Sequence, residues 1–150
     1  MRINDYLDSR LISFLAEDTR DGAIDALIAL LDEEGRLVDR KAFRDAIFHR
    51  EGLVSTGIGM GIAIPHAKMK NIHQFFIAVG LQQNKGIEWN ALDKAPVRII
   101  FMIGGPDDKQ TEYLQILSML TSAIRDVELR KKLLKATFTQ EVFELFSDSL

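Results

Sequence analysis

Two short runs decide what this chain can fold into. Residues 75–81 (F-F-I-A-V-G-L) and 97–103 (V-R-I-I-F-M-I) are apolar almost without interruption and have the length of strands. A strand with one wet face alternates apolar and polar side chains, whereas a strand this uniformly apolar needs cover on both faces. The rest of the chain must therefore supply helices to two sides of a sheet.

It has the patterns to do so. Ala23, Ile24, Leu27, Ile28 and Leu31 follow helical spacing, with Asp18 or Thr19 able to cap the start and Gly35 able to stop it. A second helix is predicted over 40–49, with Asp39 as N-cap and Ala42, Phe43, Ala46 and Ile47 as its apolar stripe. Residues 11–16 read as a short strand or extended entry, and 62–64 as another short strand. Gly104-Gly105-Pro106 is expected to end the second apolar run. Thr111 is expected to cap a third helix with Leu114, Leu117, Leu120 and Ile124 inward. Asp126 opens a fourth that buries Leu129, Leu133 and Leu134. Thr139 opens a fifth, with Phe138 and Phe143 at hydrophobic-staple positions. Helices interleaved with buried strands give an α/β or α+β layered domain.

At 150 residues the chain is expected to form one domain over 1–150, long enough to bury about 70% of its unfolded surface without a metal or disulfide staple. It has no cysteine, which excludes disulfides, thiolate catalysis and Cys-ligated metal centres and fits a reducing compartment. A formal charge of −3 argues against a general nucleic-acid binder. No apolar run is long enough to span a bilayer, and the start, M-R-I-N-D-Y-L-D, is too polar for a secretory signal. A cytoplasmic location is the expectation.

The chemistry points to one stretch, residues 50–68: R-E-G-L-V-S-T-G-I-G-M-G-I-A-I-P-H-A-K. Pro65 has a fixed φ and restricts Ile64 to extended geometry, so the approach to His66 is stiff. A histidine that carries a phosphoryl group needs one ring nitrogen free and unprotonated, and the other held by a hydrogen bond that fixes the tautomer. Gly57, Gly59 and Gly61 permit close backbone approach and could present N–H groups to phosphate oxygens. Arg50 and Lys68 are the nearest cations, and arginine suits bidentate phosphate recognition better than lysine. Gly57-x-Gly59-x-Gly61 is not a nucleotide loop: it follows a helix, leads into a strand and lacks the Gly-Lys-Ser/Thr ending. His49 and His73 have no supporting context. No His/Asp/Glu set has metal spacing, and no cofactor is implied. Asp107-Asp108-Lys109 and Asp32-Glu33-Glu34 read as solvated segments, and Phe75-Phe76 as core.

The segment S-T-G-I-G-M-G-I-A-I-P-H-A-K at 55–68 resembles the active-site signature of the enzyme IIA domain, fructose–mannitol class (type 2), of the bacterial phosphoenolpyruvate-dependent phosphotransferase system. The resemblance includes Arg50-Glu51, K-G-I-E-W-N-A-L-D-K-A-P-V-R-I-I-F at 85–101, and Y-L-Q-I-L at 113–117. Lacking accompanying transporter segments, the chain is similar to the nitrogen-regulatory branch. The resemblance implies a mixed sheet flanked by helices. It implies that His66 accepts a phosphoryl group from the phosphohistidine of a histidine-containing carrier protein, with Arg50 steadying phosphate oxygens and Ser55, Thr56, Gly57, Gly59, Gly61 and Lys68 around the phosphate. The acceptor would be a regulatory target or an enzyme IIB. One departure stands out. Tyr113 occupies the place where many members carry a second histidine; its hydroxyl can donate a hydrogen bond but brings no titratable cation near neutral pH. A sugar-specific enzyme IIA and a binding module with weakened transfer are the alternatives.

Overall fold

The computed structural model describes residues 2–147. In chain order it contains β1 (Ile12–Phe14), α1 (Arg20–Glu33), α2 (Arg40–Leu53), β2 (Gly57–Gly59), β3 (Ile62–Ala63), β4 (His66–Met69), β5 (Phe76–Leu81), β6 (Ile99–Pro106), α3 (Gln110–Ile124), α4 (Val127–Lys135) and α5 (Thr139–Ser147). The strands form one mixed sheet in the order β1-β5-β6-β3-β2, with β4 also on β6. The two apolar runs are its centre: β5 and β6 pair antiparallel, from Phe76 opposite Gly104 to Leu81 opposite Ile99.

Period-two alternation divides the side chains of this pair between two cores. Ile77, Val79, Leu81, Ile99, Phe101 and Ile103 pack with α3, α4 and α5; Phe76, Ala78, Ile100 and Met102 pack with α1 and α2. Both faces are covered, as uniformly apolar strands require. No helix among the described residues is long and apolar enough to cross a membrane.

Caps set the helix starts. Thr19 accepts a hydrogen bond from Gly22 N–H at the start of α1, Asp39 from Ala42 N–H at α2, and Asp126 from Glu128 and Leu129 N–H at α4. Several boundaries differ from the sequence expectation. Helix α2 runs on to Leu53, so Arg50 and Glu51 lie in its last turns. Helix α3 begins at Gln110, after Lys109 and with no side-chain cap, so Thr111 sits inside the first turn. Its buried stripe is Tyr113, Ile116, Leu120, Ala123 and Ile124; Leu114 is exposed and Leu117 half-buried because the helix is rotated to bring Tyr113 inward. Leu134 is half-buried. Phe138 points to solvent, so no staple forms over Thr139, the first residue of α5.

The largest difference lies in β6, which does not end at Gly104-Gly105-Pro106 but runs through them. The glycines serve packing there. A Cβ on Gly104 would overlap the Phe76 ring, and one on Gly105 would overlap the Phe75 ring. Gly105→Ala is therefore expected to lower stability by about 2–3 kcal/mol through overpacking. A denaturant midpoint equal to the parent's would show that the Phe75 ring can step aside.

The same stretch of β6 receives β4. Strands β3 and β4 lie along one side of β6 in one continuous parallel register, Ile62 opposite Ile99 and His66 opposite Ile103. The strand expected over 62–64 is thus broken only at Ile64-Pro65, where the proline has no N–H to give. The Pro65 carbonyl still accepts the Ile103 N–H at 3.0 Å.

Candidate functional site

His66 opens β4, and alternation puts His66 and Lys68 on the α3 side while Ala67 joins the opposite core. The Nδ1 of His66 lies 2.9 Å from the Ile64 carbonyl oxygen. A carbonyl only accepts, so Nδ1 carries the proton and Nε2 keeps its lone pair. Burial pushes the proton affinity of the ring below its ordinary value, and the positive charges of Arg50 and Lys68 add to that; the Ile64 hydrogen bond and Glu51 oppose it. The imidazole is thus neutral and nucleophilic at neutral pH. An NMR titration of the His66 ring is expected to give a midpoint below 6.5. A midpoint at or above that value would mean that water reaches the ring freely.

Arg50 arrives from the end of α2. Its Nη1 donates to the Val54 carbonyl at 2.7 Å, which anchors one arm of the fork and leaves the remaining donors for a ligand. The segment after it is held by a buried network. Glu51 is only 3% exposed. Its carboxylate accepts the Thr56 N–H at 2.7 Å and the Thr56 hydroxyl at 2.6 Å. Trp89 Nε1–H donates to the Thr56 hydroxyl oxygen at 3.3 Å, and the Ser55 hydroxyl donates to the Trp89 carbonyl at 2.7 Å. The Thr56 carbonyl accepts the Ile64 N–H at 3.0 Å, which ties this network to the residue that orients His66. Glu51 and Trp89 escaped the sequence reading as site residues. One signal was available: Phe43, Ile47 and Glu51 recur every four residues, so the acid continues a buried helical face.

The glycines form a hairpin beside the pocket. Gly57 and Gly59 belong to β2, which turns back on β3 through Met60 and Gly61. Gly59, Met60 and Gly61 have φ of 98°, 60° and 75°, the left-handed values a tight hairpin needs. The Gly57 N–H is used by the Ser55 hydroxyl oxygen, and the Met60 N–H by Asp93. The glycines shape the support and do not line the pocket.

That pocket, about 260 Å³, is lined by Arg50, Ser55, Thr56, Ile58, Ile64, His66, Tyr113, Leu117 and Thr121. Tyr113 forms the wall beside the histidine, with ring centroids 5.7 Å apart. Burial pushes its hydroxyl above the ordinary phenol range, partly offset by Arg50, so it stays uncharged. Lys68 is not in the lining; its Nζ lies 4.3 Å from the centroid of the Tyr113 ring and donates to Gln110 Oε1 at 2.5 Å. A larger cleft of about 520 Å³ lies between Lys70, His73, Asp107, Asp108 and Lys109. It is open, carries both signs of charge and places no oriented nucleophile. His49 and His73 are exposed.

Residues 5–149 match the family described as "Phosphoenolpyruvate-dependent sugar phosphotransferase system, EIIA 2". The "PTS system fructose-specific EIIA component" of Haloferax volcanii is 38% identical over 130 residues, which cover 87% of this chain and 84% of that protein. The "PTS system fructose-specific EIIABC component" of Bacillus subtilis is 34% identical over 148 residues; these are 98% of this chain but only 23% of that longer protein. Among solved structures, Nitrogen Regulatory Protein IIA-Ntr from Neisseria meningitidis has the same fold, with a TM-score of 0.88 at 26% identity over 96% of this chain and 98% of that one.

Proposed function

The chain belongs to the EIIA 2 family of the phosphoenolpyruvate-dependent sugar phosphotransferase system, and from that premise we propose that it is a phosphoryl carrier whose acceptor is His66. One observation supports this reading above the others: the Nδ1–H bond to Ile64 leaves Nε2 unprotonated on a ring that lines the same pocket as Arg50. In the proposed step the Nε2 lone pair attacks the phosphorus of a phosphohistidine on a small carrier protein. The bond from phosphorus to the donor's ring nitrogen breaks, and its electron pair returns to that nitrogen. The Nδ1 proton stays in place; as the ring gains positive character, its bond to the Ile64 carbonyl strengthens. Arg50 meets the charge on the phosphoryl oxygens, and Ile64, Tyr113 and Leu117 limit water, so the work is positioning plus electrostatics. A relay fed by phosphoenolpyruvate supports a cytoplasmic location, with the chain acting as one carrier domain.

The test is uptake from phosphoenolpyruvate, enzyme I and the histidine-containing carrier, read by intact mass under non-acidic conditions. One added phosphate, lost in acid, is expected. An unlabelled chain beside an enzyme IIA that labels in the same mixture would overturn the reading.

For the output we favour a nitrogen-regulatory role, in which the likeness to IIA-Ntr is the support. Phosphorylation would add about −1.5 to −2 charges at the pocket mouth and so change which partner surface fits. The fructose-specific relatives support a second output, donation to a separate enzyme IIB. Phosphate passing from the labelled chain to a fructose-type enzyme IIB would decide for the second.

A further inference from the structure

We propose that Lys68 is a second fixed cation of the phosphoryl site, mounted on the face of Tyr113, and that Tyr113 acts as its positioning residue. This inference rests on the carrier reading of His66 and adds to it. Lys68 stands two residues beyond His66 on β4, so both side chains leave the strand toward α3. A lysine there would ordinarily extend into solvent with its rotamers free. Here it is held twice from α3, by Gln110 through a hydrogen bond and by Tyr113, one turn later, through the ring face at 4.3 Å.

The mount itself is rigid. Tyr113 is buried, and its ring stacks on Phe75 with an interplanar angle of 26° and a centroid separation of 6.1 Å. Its ring also lies beside that of His66, with centroids 5.7 Å apart, so the side chain that holds the ammonium borders the nucleophile. The charged groups that act on His66 come from three sides of the pocket: Arg50 and Glu51 from α2, Lys68 from its own strand, and Tyr113, uncharged, from α3. Glu51 is occupied by Thr56. Arg50 lines the pocket itself, and Lys68, outside that lining, stands two residues along the same strand face as His66, where its charge borders the path of an incoming phosphoryl group. In this arrangement the tyrosine contributes through its ring and not through its hydroxyl.

The experiment compares phosphate uptake by the parent, Lys68→Met, Tyr113→Leu, the double variant and Tyr113→Phe, in rapid-quench time courses. Lys68→Met is expected to slow uptake about tenfold, as loss of one charge-assisted contact does. Tyr113→Leu should slow it as far, the double variant no further than either, and Tyr113→Phe, which restores the ring, should rescue the rate. An NMR titration of His66 in Lys68→Met should show its midpoint raised, a change that lost packing on a distant face would not produce. A parent that takes no phosphate would overturn the carrier reading and this inference with it. A parent that labels, with Lys68→Met equally fast or with an unmoved His66 midpoint, would overturn this inference alone. Multiplying defects in the double variant, or a Tyr113→Phe as slow as Tyr113→Leu, would assign Lys68 and Tyr113 separate roles and remove the mount.

Discussion

His66→Ala is expected to take up no phosphate at all, and Arg50→Ala to take it up about 10- to 100-fold more slowly. The two losses differ in kind. Without His66 no nucleophile in the pocket has its lone pair freed by a backbone carbonyl, since His49 and His73 lie exposed elsewhere. Without Arg50 the nucleophile stays but the phosphoryl oxygens lose a fork already anchored to the Val54 carbonyl. An anchored guanidinium gives up less freedom on binding, so its loss should fall on the rate of transfer and not on the folded state. Quench-flow labelling and a thermal melt of Arg50→Ala separate the two. Labelling of His66→Ala at the parent level would overturn the acceptor assignment, and an Arg50→Ala rate equal to the parent's would remove the arginine. A binding module that keeps the fold without the chemistry would show neither effect, because its parent would not label.

Much of this was legible before the structure because it is written in local pattern. The apolar runs at the centre of the sheet, the Thr19, Asp39 and Asp126 caps, and the helical stripe of α1 each follow from neighbours within a turn or a strand. The stiff approach through Ile64-Pro65 was legible for the same reason. What was not legible depends on residues far apart in the chain. Gly104 and Gly105 look like a strand stop until Phe75 and Phe76 are seen lying over them. The hairpin that the three glycines before His66 form depends on pairing with β3 and on the carboxylate of Asp93, more than thirty residues away. The helix predicted over 40–49 runs on to Leu53, and its buried face continues through Glu51 because the N–H and hydroxyl of Thr56, a residue beyond the helix, satisfy the carboxylate.

Glu51→Ala should be the most damaging single change to the folded state outside the hydrophobic cores, lowering stability by about 2–5 kcal/mol. Removing the carboxylate leaves two donors of Thr56, its N–H and its hydroxyl, without their acceptor in a dry site, and each such orphan costs about 1–3 kcal/mol. Glu51→Gln keeps one acceptor oxygen and should recover about half of that loss. Denaturant unfolding measures both. The effect should also reach the chemistry, because Thr56 holds Ile64 through its carbonyl and Ile64 holds the His66 proton. Folded Glu51→Gln is therefore expected to label more slowly than the parent although residue 51 does not line the pocket. A Glu51→Ala chain that unfolds at the parent's midpoint would show that Thr56 finds other partners at no cost. The placement of Arg50 against His66 would then have to come from the packing of α2 on β4 alone.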